Sequence, residues 1–300
     1  MTLLRRVAVA TWQVVRDTFR EWSEDNAPMY GAALAFYSIF SLAPLLVIAI
    51  GVAGLAFGRE AVQTEVLAQF TQLLGKDGAR QVEIVLRNAA ESPSGIPATI
   101  LGVITLFVGA TAVFNQLKTA LNTIWNVPAS PSSVVRSFVV DRLLSFAMVQ
   151  CMGFLLLISL LVNAALAAVS KVFERFVPDM AALLLAAGFL FSLLVVTVLF
   201  AAIFKILPDA RIAWMDVWVG ALATALLFTL GKFLIGLYLG RSSVASVYGA
   251  AGSLVVLLLW VYYSAQVFLL GAEFTQVYAR RWGSRILPGR HQVAAERVSP

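Results

Sequence analysis

Residues 180–204 read MAALLLAAGFLFSLLVVTVLFAAIF, a run of 25 residues without Asp, Glu, Lys or Arg. An α-helix needs about 20 mostly apolar residues to cross the hydrocarbon core of a bilayer, so this run predicts a transmembrane helix. Five further stretches also lack charged residues. The shortest of them, 217–231, becomes long enough to span if it continues past Lys232 to residue 239, because a lysine near a helix end can place its ammonium at the interface. Those further uncharged stretches are 26–58, 92–117, 143–170, 217–231 and 242–272.

The pattern predicts an all-α, polytopic membrane protein with about six transmembrane helices. The composition agrees, because 60% of the residues are apolar and only 13% are charged, whereas soluble domains carry about 25% charged residues. The spans are expected at about 30–57, 97–117, 142–170, 180–205, 214–239 and 248–273, within a membrane domain of residues 26–280.

The basic balance of the chain, with a net charge of +6, fits the same class. In membrane proteins an excess of Lys and Arg marks cytoplasmic loops, and we prefer this interpretation to nucleic-acid binding. With six spans and both termini inside, fourteen of the 22 Lys and Arg residues fall on the cytoplasmic side. The bias therefore predicts a cytoplasmic N-terminus and a cytoplasmic C-terminus.

Three segments are not expected to cross the membrane. Residues 1–25 place apolar and charged side chains on different faces at helical spacing, which predicts an amphipathic helix on the cytoplasmic membrane surface. Residues 59–91 carry two apolar stripes separated by GKDG at 75–78, which predicts a periplasmic helical hairpin with a turn there. The polar tail, residues 281–300, is expected to be a disordered cytoplasmic segment.

Metal and disulfide chemistry are not expected. Cys151 is the one cysteine and His291 the one histidine. Zinc and iron–sulfur motifs need several such residues, so the sequence predicts no metal site and no cofactor.

Polar residues collect where this topology places the cytoplasmic ends of the helices. Charged groups at such a position are stabilised by partners or by water, and the cations here outnumber the anions. A cluster of this kind can hold a phosphate or an anionic lipid headgroup, and the alternative is structural ion pairing between helix ends. The candidate residues are Lys118, Asn122, Asp141, Arg142, Lys205, Asp209, Arg211 and Glu273.

A second set of residues suggests a hinge or a polar path. Pro44 lies within the first span, where proline removes a backbone hydrogen bond and favours a kink. Polar side chains on neighbouring turns can satisfy the freed carbonyls or line a path. The alternative is a static packing kink. The candidates are Tyr37, Ser41, Pro44, Asn115 and Gly249.

Several short motifs follow one another along the chain. They are GAALAFYS at 31–38, SLAP at 41–44, NTIW at 122–125, KILP at 205–208, YG at 248–249, WVY at 260–262 and GAE at 271–273. Together they resemble the YihY/BrkB family of bacterial envelope proteins. The resemblance implies an all-helical protein of the inner (plasma) membrane that is associated with envelope integrity and serum resistance.

Three functions follow as hypotheses. The first is a transporter or lipid-handling protein, with membrane lipids as partners and no nucleic acid. The second is a non-catalytic scaffold that binds envelope-assembly proteins through its amphipathic segments. The third, an enzyme acting on lipid, is weaker because no catalytic constellation is recognisable. The family's older ribonuclease label is not supported, because the acids are scattered and the histidine lies in the tail. The sequence leaves the oligomeric state open.

Overall fold

The structure is a computed structural model that describes residues 3–91, 96–127, 178–241, 252–284 and 287–288. The predicted span 142–170 lies outside these residues, as do Asp141, Arg142 and Gly249. The described elements are α1 (Leu3–Glu24), α2 (Ala27–Phe57), α3 (Arg59–Glu91), α4 (Ile96–Ile124), α5 (Pro178–Ile206), β1 (Ala210–Arg211), α6 (Trp214–Arg241), α7 (Gly252–Arg281) and β2 (Leu287–Pro288).

Apart from one short strand pair, the described residues are helical, as the sequence predicts. Within the described ranges, three segments are long and apolar enough to cross a membrane: Ala186–Ile206, Trp214–Tyr238 and Leu254–Arg281. They coincide with the last three predicted spans. The first two predicted spans are covered by α2, of 31 residues, and α4, of 29 residues. The count of six spans stays a prediction.

The chain divides into two compact units. One unit comprises Met1–Glu21, Leu121–Thr229 and Leu270–Pro300, and the other comprises Trp22–Ala120 and Leu230–Leu269. In the second unit, α2, α3 and α7 share an apolar cluster whose buried members are Leu46, Ile50, Val82, Leu86 and Val256.

The structure differs from the predicted hairpin, because α3 is a single helix of 33 residues that continues through 75–78. Each glycine lowers helix stability by only about 1 kcal/mol and does not force a turn. Apolar residues on both sides of the glycines, Phe70 before them and Val82 after them, pack on the same cluster, which favours one continuous helix. The chain turns instead at Gly58, whose φ of 85° favours glycine.

The start of the predicted disordered tail is also ordered. Helix α7 continues to Arg281, and β2 then pairs antiparallel with β1, with Ala210 opposite Pro288 and Arg211 opposite Leu287. The segment after the last span is thus attached to the loop between α5 and α6.

Candidate functional site

The first part of the candidate site is the C-terminal end of α4. Asn126 adopts a left-handed conformation with φ 53°, which asparagine tolerates better than most residues. Its amide donates to the carbonyl of Thr123 at 2.9 Å, and the amide of Val127 donates to the carbonyl of Asn122 at 2.9 Å. These two bonds form a Schellman motif, which ends the helix and satisfies its last carbonyls.

The side chain of Asn122 joins this helix end to the loop after α5. Its Nδ2 donates to Oδ2 of Asp209 at 3.0 Å, and its Oδ1 accepts from the backbone N–H of Asp209 at 2.9 Å. The two bonds use the donor and the acceptor of one amide against one residue, so they fix both side chains. We call this pair the Asn122–Asp209 clasp.

The same loop places the Lys205 ammonium between a carbonyl and an aromatic ring. Its Nζ donates to the backbone carbonyl of Ile212 and lies 5.4 Å from the ring centre of Trp214. Both contacts stabilise a cation. Within the described part of the chain, Lys205 forms no ion pair with a carboxylate. Among these residues, its ammonium is therefore bonded only to uncharged groups at the end of α5.

An aromatic group packs beneath this loop. Trp125 and Phe204 are buried and meet edge to face, with ring centroids 5.9 Å apart. Phe204 stacks on Phe200, which in turn contacts Phe228 of α6 edge to face at 5.6 Å. These contacts join α4, α5 and α6 and give the loop a rigid apolar support.

Asp216, in the first turn of α6, holds the segment after α7. The residue is only 3% exposed, and its Oδ2 accepts from the backbone N–H of Ser284 at 2.9 Å. A Cβ on Gly283 would overlap the carboxylate. This contact was not predicted from the sequence. The available signals were an acid in a first helical turn and a glycine just after the last span.

Helices α6 and α7 cross at two glycine–threonine contacts. A Cβ on Gly220 would overlap Oγ1 of Thr275, and a Cβ on Gly271 would overlap Oγ1 of Thr224. Each threonine also donates to the carbonyl of the glycine in its own helix, at 2.7 Å. Glu273 lies between Gly271 and Thr275 in the chain and is fully buried.

A family model described as "Virulence factor BrkB" matches residues 18–296. The chain belongs to the BrkB family. The resemblance predicted from the motifs is thereby confirmed.

The chain is also similar to several proteins that are described as membrane proteins. The chain is 30% identical over 272 residues to a UPF0761 membrane protein of Verminephrobacter eiseniae, with 88% of this chain and 62% of that protein covered. It is 28% identical over 284 residues to one of Ralstonia nicotianae, with 91% and 61% covered. A third, from Cronobacter sakazakii, is 29% identical over 257 residues, with 84% and 83% covered. The chain thus spans about three fifths of the length of the first two relatives. No solved structure matches it.

The structure gives physical roles to several of the motifs that indicated the BrkB family. NTIW ends α4 and supplies the clasp, KILP leads from Lys205 into the loop, and GAE lies at the crossing of α6 and α7. In GAALAFYS, Gly31 makes room for Gln266 of α7, whose Nε2 donates to the carbonyl of Pro28 at 3.3 Å. These motif residues therefore cap a helix or allow helices to pack closely.

Of the predicted cluster, Asn122 and Asp209 are bonded to each other, and Lys205 lies in the last turn of α5, which leads into the same loop. Glu273 makes no hydrogen bond or ion pair with Asn122 or Lys205. Arg211 lies in β1, and Lys118 is half-buried on α4, one turn before Asn122.

The predicted hinge residues are spread along two helices. Ser41 and Pro44 lie within α2, which is helical throughout. Tyr37 is 36% exposed and meets Phe36 edge to face at 5.6 Å, and Asn115 is exposed on α4. Among the residues that the structure describes, no three His, Cys, Asp or Glu side chains lie close enough together to hold a metal.

Proposed function

We propose that this BrkB-family protein handles an anionic phospholipid, or another phosphate-bearing solute, at the cytoplasmic ends of its helices. In this proposal it is a multi-pass protein of the bacterial inner membrane, with six spans and cytoplasmic termini, that transports or presents the lipid without covalent catalysis. Membrane-spanning helices and membership of a membrane-protein family support the setting. The excess of Lys and Arg on one side supports the orientation.

The observation that carries the proposal is the state of Lys205. Its ammonium is held by the Ile212 carbonyl and the Trp214 ring, and no carboxylate of the described residues neutralises it. Asp209, the nearest acid along the chain, is held by Asn122 instead. A preorganised cation of this kind favours a phosphate, because little side-chain entropy remains to be lost on binding.

A binding experiment tests the role of Lys205. The purified protein is titrated in detergent with short-chain phosphatidylglycerol, short-chain phosphatidylcholine and inorganic phosphate. We expect Lys205→Ala to weaken phosphatidylglycerol binding by about tenfold to a hundredfold, because a charge-assisted hydrogen bond contributes roughly 1.5–3 kcal/mol. The matched control is Lys232→Ala, an exposed lysine of α6. Equal losses in the two variants would show that Lys205 is not a binding residue.

A second measurement separates lipid movement from lipid binding. Vesicles containing the protein are loaded with fluorescent phosphatidylglycerol, and its transfer between leaflets is followed by chemical quenching. We expect faster transfer in vesicles that contain the protein than in empty vesicles, and slower transfer with Lys205→Ala than with the unsubstituted protein. Binding without any transfer would contradict transport and favour the scaffold, whereas a preference for inorganic phosphate would point to a soluble substrate.

A further inference from the structure

Helix α1 presents an apolar face that no part of the described chain covers. Its inner face is buried, with Val14 2% and Thr18 4% exposed. On the other side, a stripe at helical spacing is open, and its large side chains include Trp12 at 68% and Phe19 at 54% exposure. Two exposed arginines border this stripe. We call it the outer face of α1, and its residues are Val9, Trp12, Val15, Arg16, Phe19 and Arg20.

Contacts with α7 fix the level at which this face lies. Glu21 accepts from Arg280 at 2.8 Å, and Asp17 pairs with Arg281 at 3.5 Å, while Arg281 also donates to Gln13. Both arginines lie in the last turn of α7, where the candidate span Leu254–Arg281 ends. Helix α1 therefore lies beside the end of this candidate span, and we infer that this is the level of a membrane–water interface.

The same contacts divide the charges of α1 between two sides. The acids Asp17 and Glu21 are bonded to the arginines of α7. Arg16 and Arg20 are exposed beside the apolar stripe, and Arg20 also forms an ion pair with Glu21 at 3.5 Å, so it borders both sides. The outer face is thus both aromatic and basic, a combination typical of helices that lie in the interface of an anionic leaflet.

We propose that the outer face of α1 docks into the surface of an anionic bilayer. Trp12, Val15 and Phe19 insert at the boundary between headgroups and acyl chains, and Arg16 and Arg20 bind the phosphates of anionic lipids. The ion pairs with α7 hold the helix at the required depth. Charge complementarity selects lipid over a protein partner, because a bilayer supplies apolar and anionic groups side by side along the whole helix.

A depth measurement on the full chain in nanodiscs tests this proposal. A nitroxide is attached at Phe19→Cys in a Cys151→Ser background, and its collision rates with oxygen and with a water-soluble nickel complex are measured. The discs contain phosphatidylcholine alone or mixed with phosphatidylglycerol. The control label is placed at Glu24→Cys, an exposed residue on the polar side of α1.

We expect the label at residue 19 to collide mainly with oxygen and the label at residue 24 mainly with nickel. Arg16→Gln combined with Arg20→Gln should lower the oxygen-to-nickel ratio at residue 19 by about twofold or more in anionic discs, with a smaller change in neutral discs. A label at residue 19 that is reached by nickel in both lipids would overturn the proposal. So would a label immobilised equally in both lipids, since that indicates a protein partner or a second copy. Insertion insensitive to the arginines would overturn the preference for anionic lipid.

Discussion

Asn122 shows how one side chain can join two distant parts of this chain. Its backbone carbonyl belongs to the cap of α4, and its side chain bonds to Asp209, which is 87 residues away. The cap fixes the helix end and the clasp fixes the loop that carries Lys205. Asn122, an uncharged residue of another helix, therefore helps to position the loop that follows the proposed binding cation.

The clasp makes a prediction about stability. Asn122→Ala removes both bonds to Asp209, one of which involves a carboxylate, so we expect a loss of roughly 1–3 kcal/mol. Thermal unfolding of the purified protein in detergent measures this loss of stability. Asn115→Ala is the matched control, because Asn115 is exposed on the same helix and should change stability by less than about 0.5 kcal/mol. Equal effects in the two variants would contradict a structural role for the clasp.

At the scale of elements, α6 and α7 pack through the same short pattern. Both carry Gly-Ala-x-x-Thr, at Gly220–Thr224 in α6 and at Gly271–Thr275 in α7. Each glycine receives the threonine of the other helix, and each threonine satisfies its hydroxyl within its own helix. Small residues allow this close approach, which gains packing contacts where lipid supplies no hydrophobic driving force between helices.

This crossing predicts the sign of a glycine substitution. In an isolated helix Gly→Ala is favourable by about 1 kcal/mol. Here Gly220→Ala should instead destabilise by roughly 1–3 kcal/mol, because the new methyl group overlaps Thr275. Unfolding in detergent measures this change in stability. Thr275→Gly removes the side chain that the new methyl group overlaps, so it should compensate for Gly220→Ala. The double variant should be more stable than the sum of the single effects. A neutral or stabilising Gly220→Ala would show that the helices separate easily.

At the scale of the whole molecule, contacts restrict the number of membrane crossings. Asn122 lies near the end of α4 and Asp209 follows α5, and their side chains are bonded to each other. In the proposed six-span topology, this contact requires both residues to lie on one side of the membrane. In that topology the candidate span in α5 is one crossing between the two residues, and a second crossing is needed to return. The proposed topology assigns this second crossing to residues 142–170, which lie outside the described residues. The pairing of β1 with β2 is consistent with an even number of crossings, because the two candidate spans in α6 and α7 lie between these strands.

Cysteine labelling in cells tests this topology. In a Cys151→Ser background, Ser23→Cys before α2 and Ser284→Cys after α7 should both resist a membrane-impermeant maleimide applied from outside. Glu60→Cys, exposed at the start of α3, should react. The expected pattern follows from the positive-inside rule and from the bonds between α1 and the last turn of α7. Labelling of only one of the two serine positions would contradict the even number of crossings.

The sequence by itself determined the membrane class, the spans from residue 180 onward, the helical N-terminal segment and the family. Hydrocarbon acts on each residue separately, so runs of apolar side chains predict spans without knowledge of their neighbours. It also predicted Asn122, Lys205 and Asp209 within one cluster, because helix ends on one side of a membrane lie at one level, and the role of this cluster as a binding site stays a prediction.

Only the tertiary structure decided which partners these residues have. The Asn122–Asp209 clasp, the bond of Asp216 to the tail and the pairing of Glu21 with Arg280 join residues 87, 68 and 259 positions apart. The continuity of α3 through 75–78 likewise depends on apolar side chains that pack on α2 and α7. Periodicity and composition describe a segment's preference for a solvent, whereas these contacts arise from the packing of one helix against another.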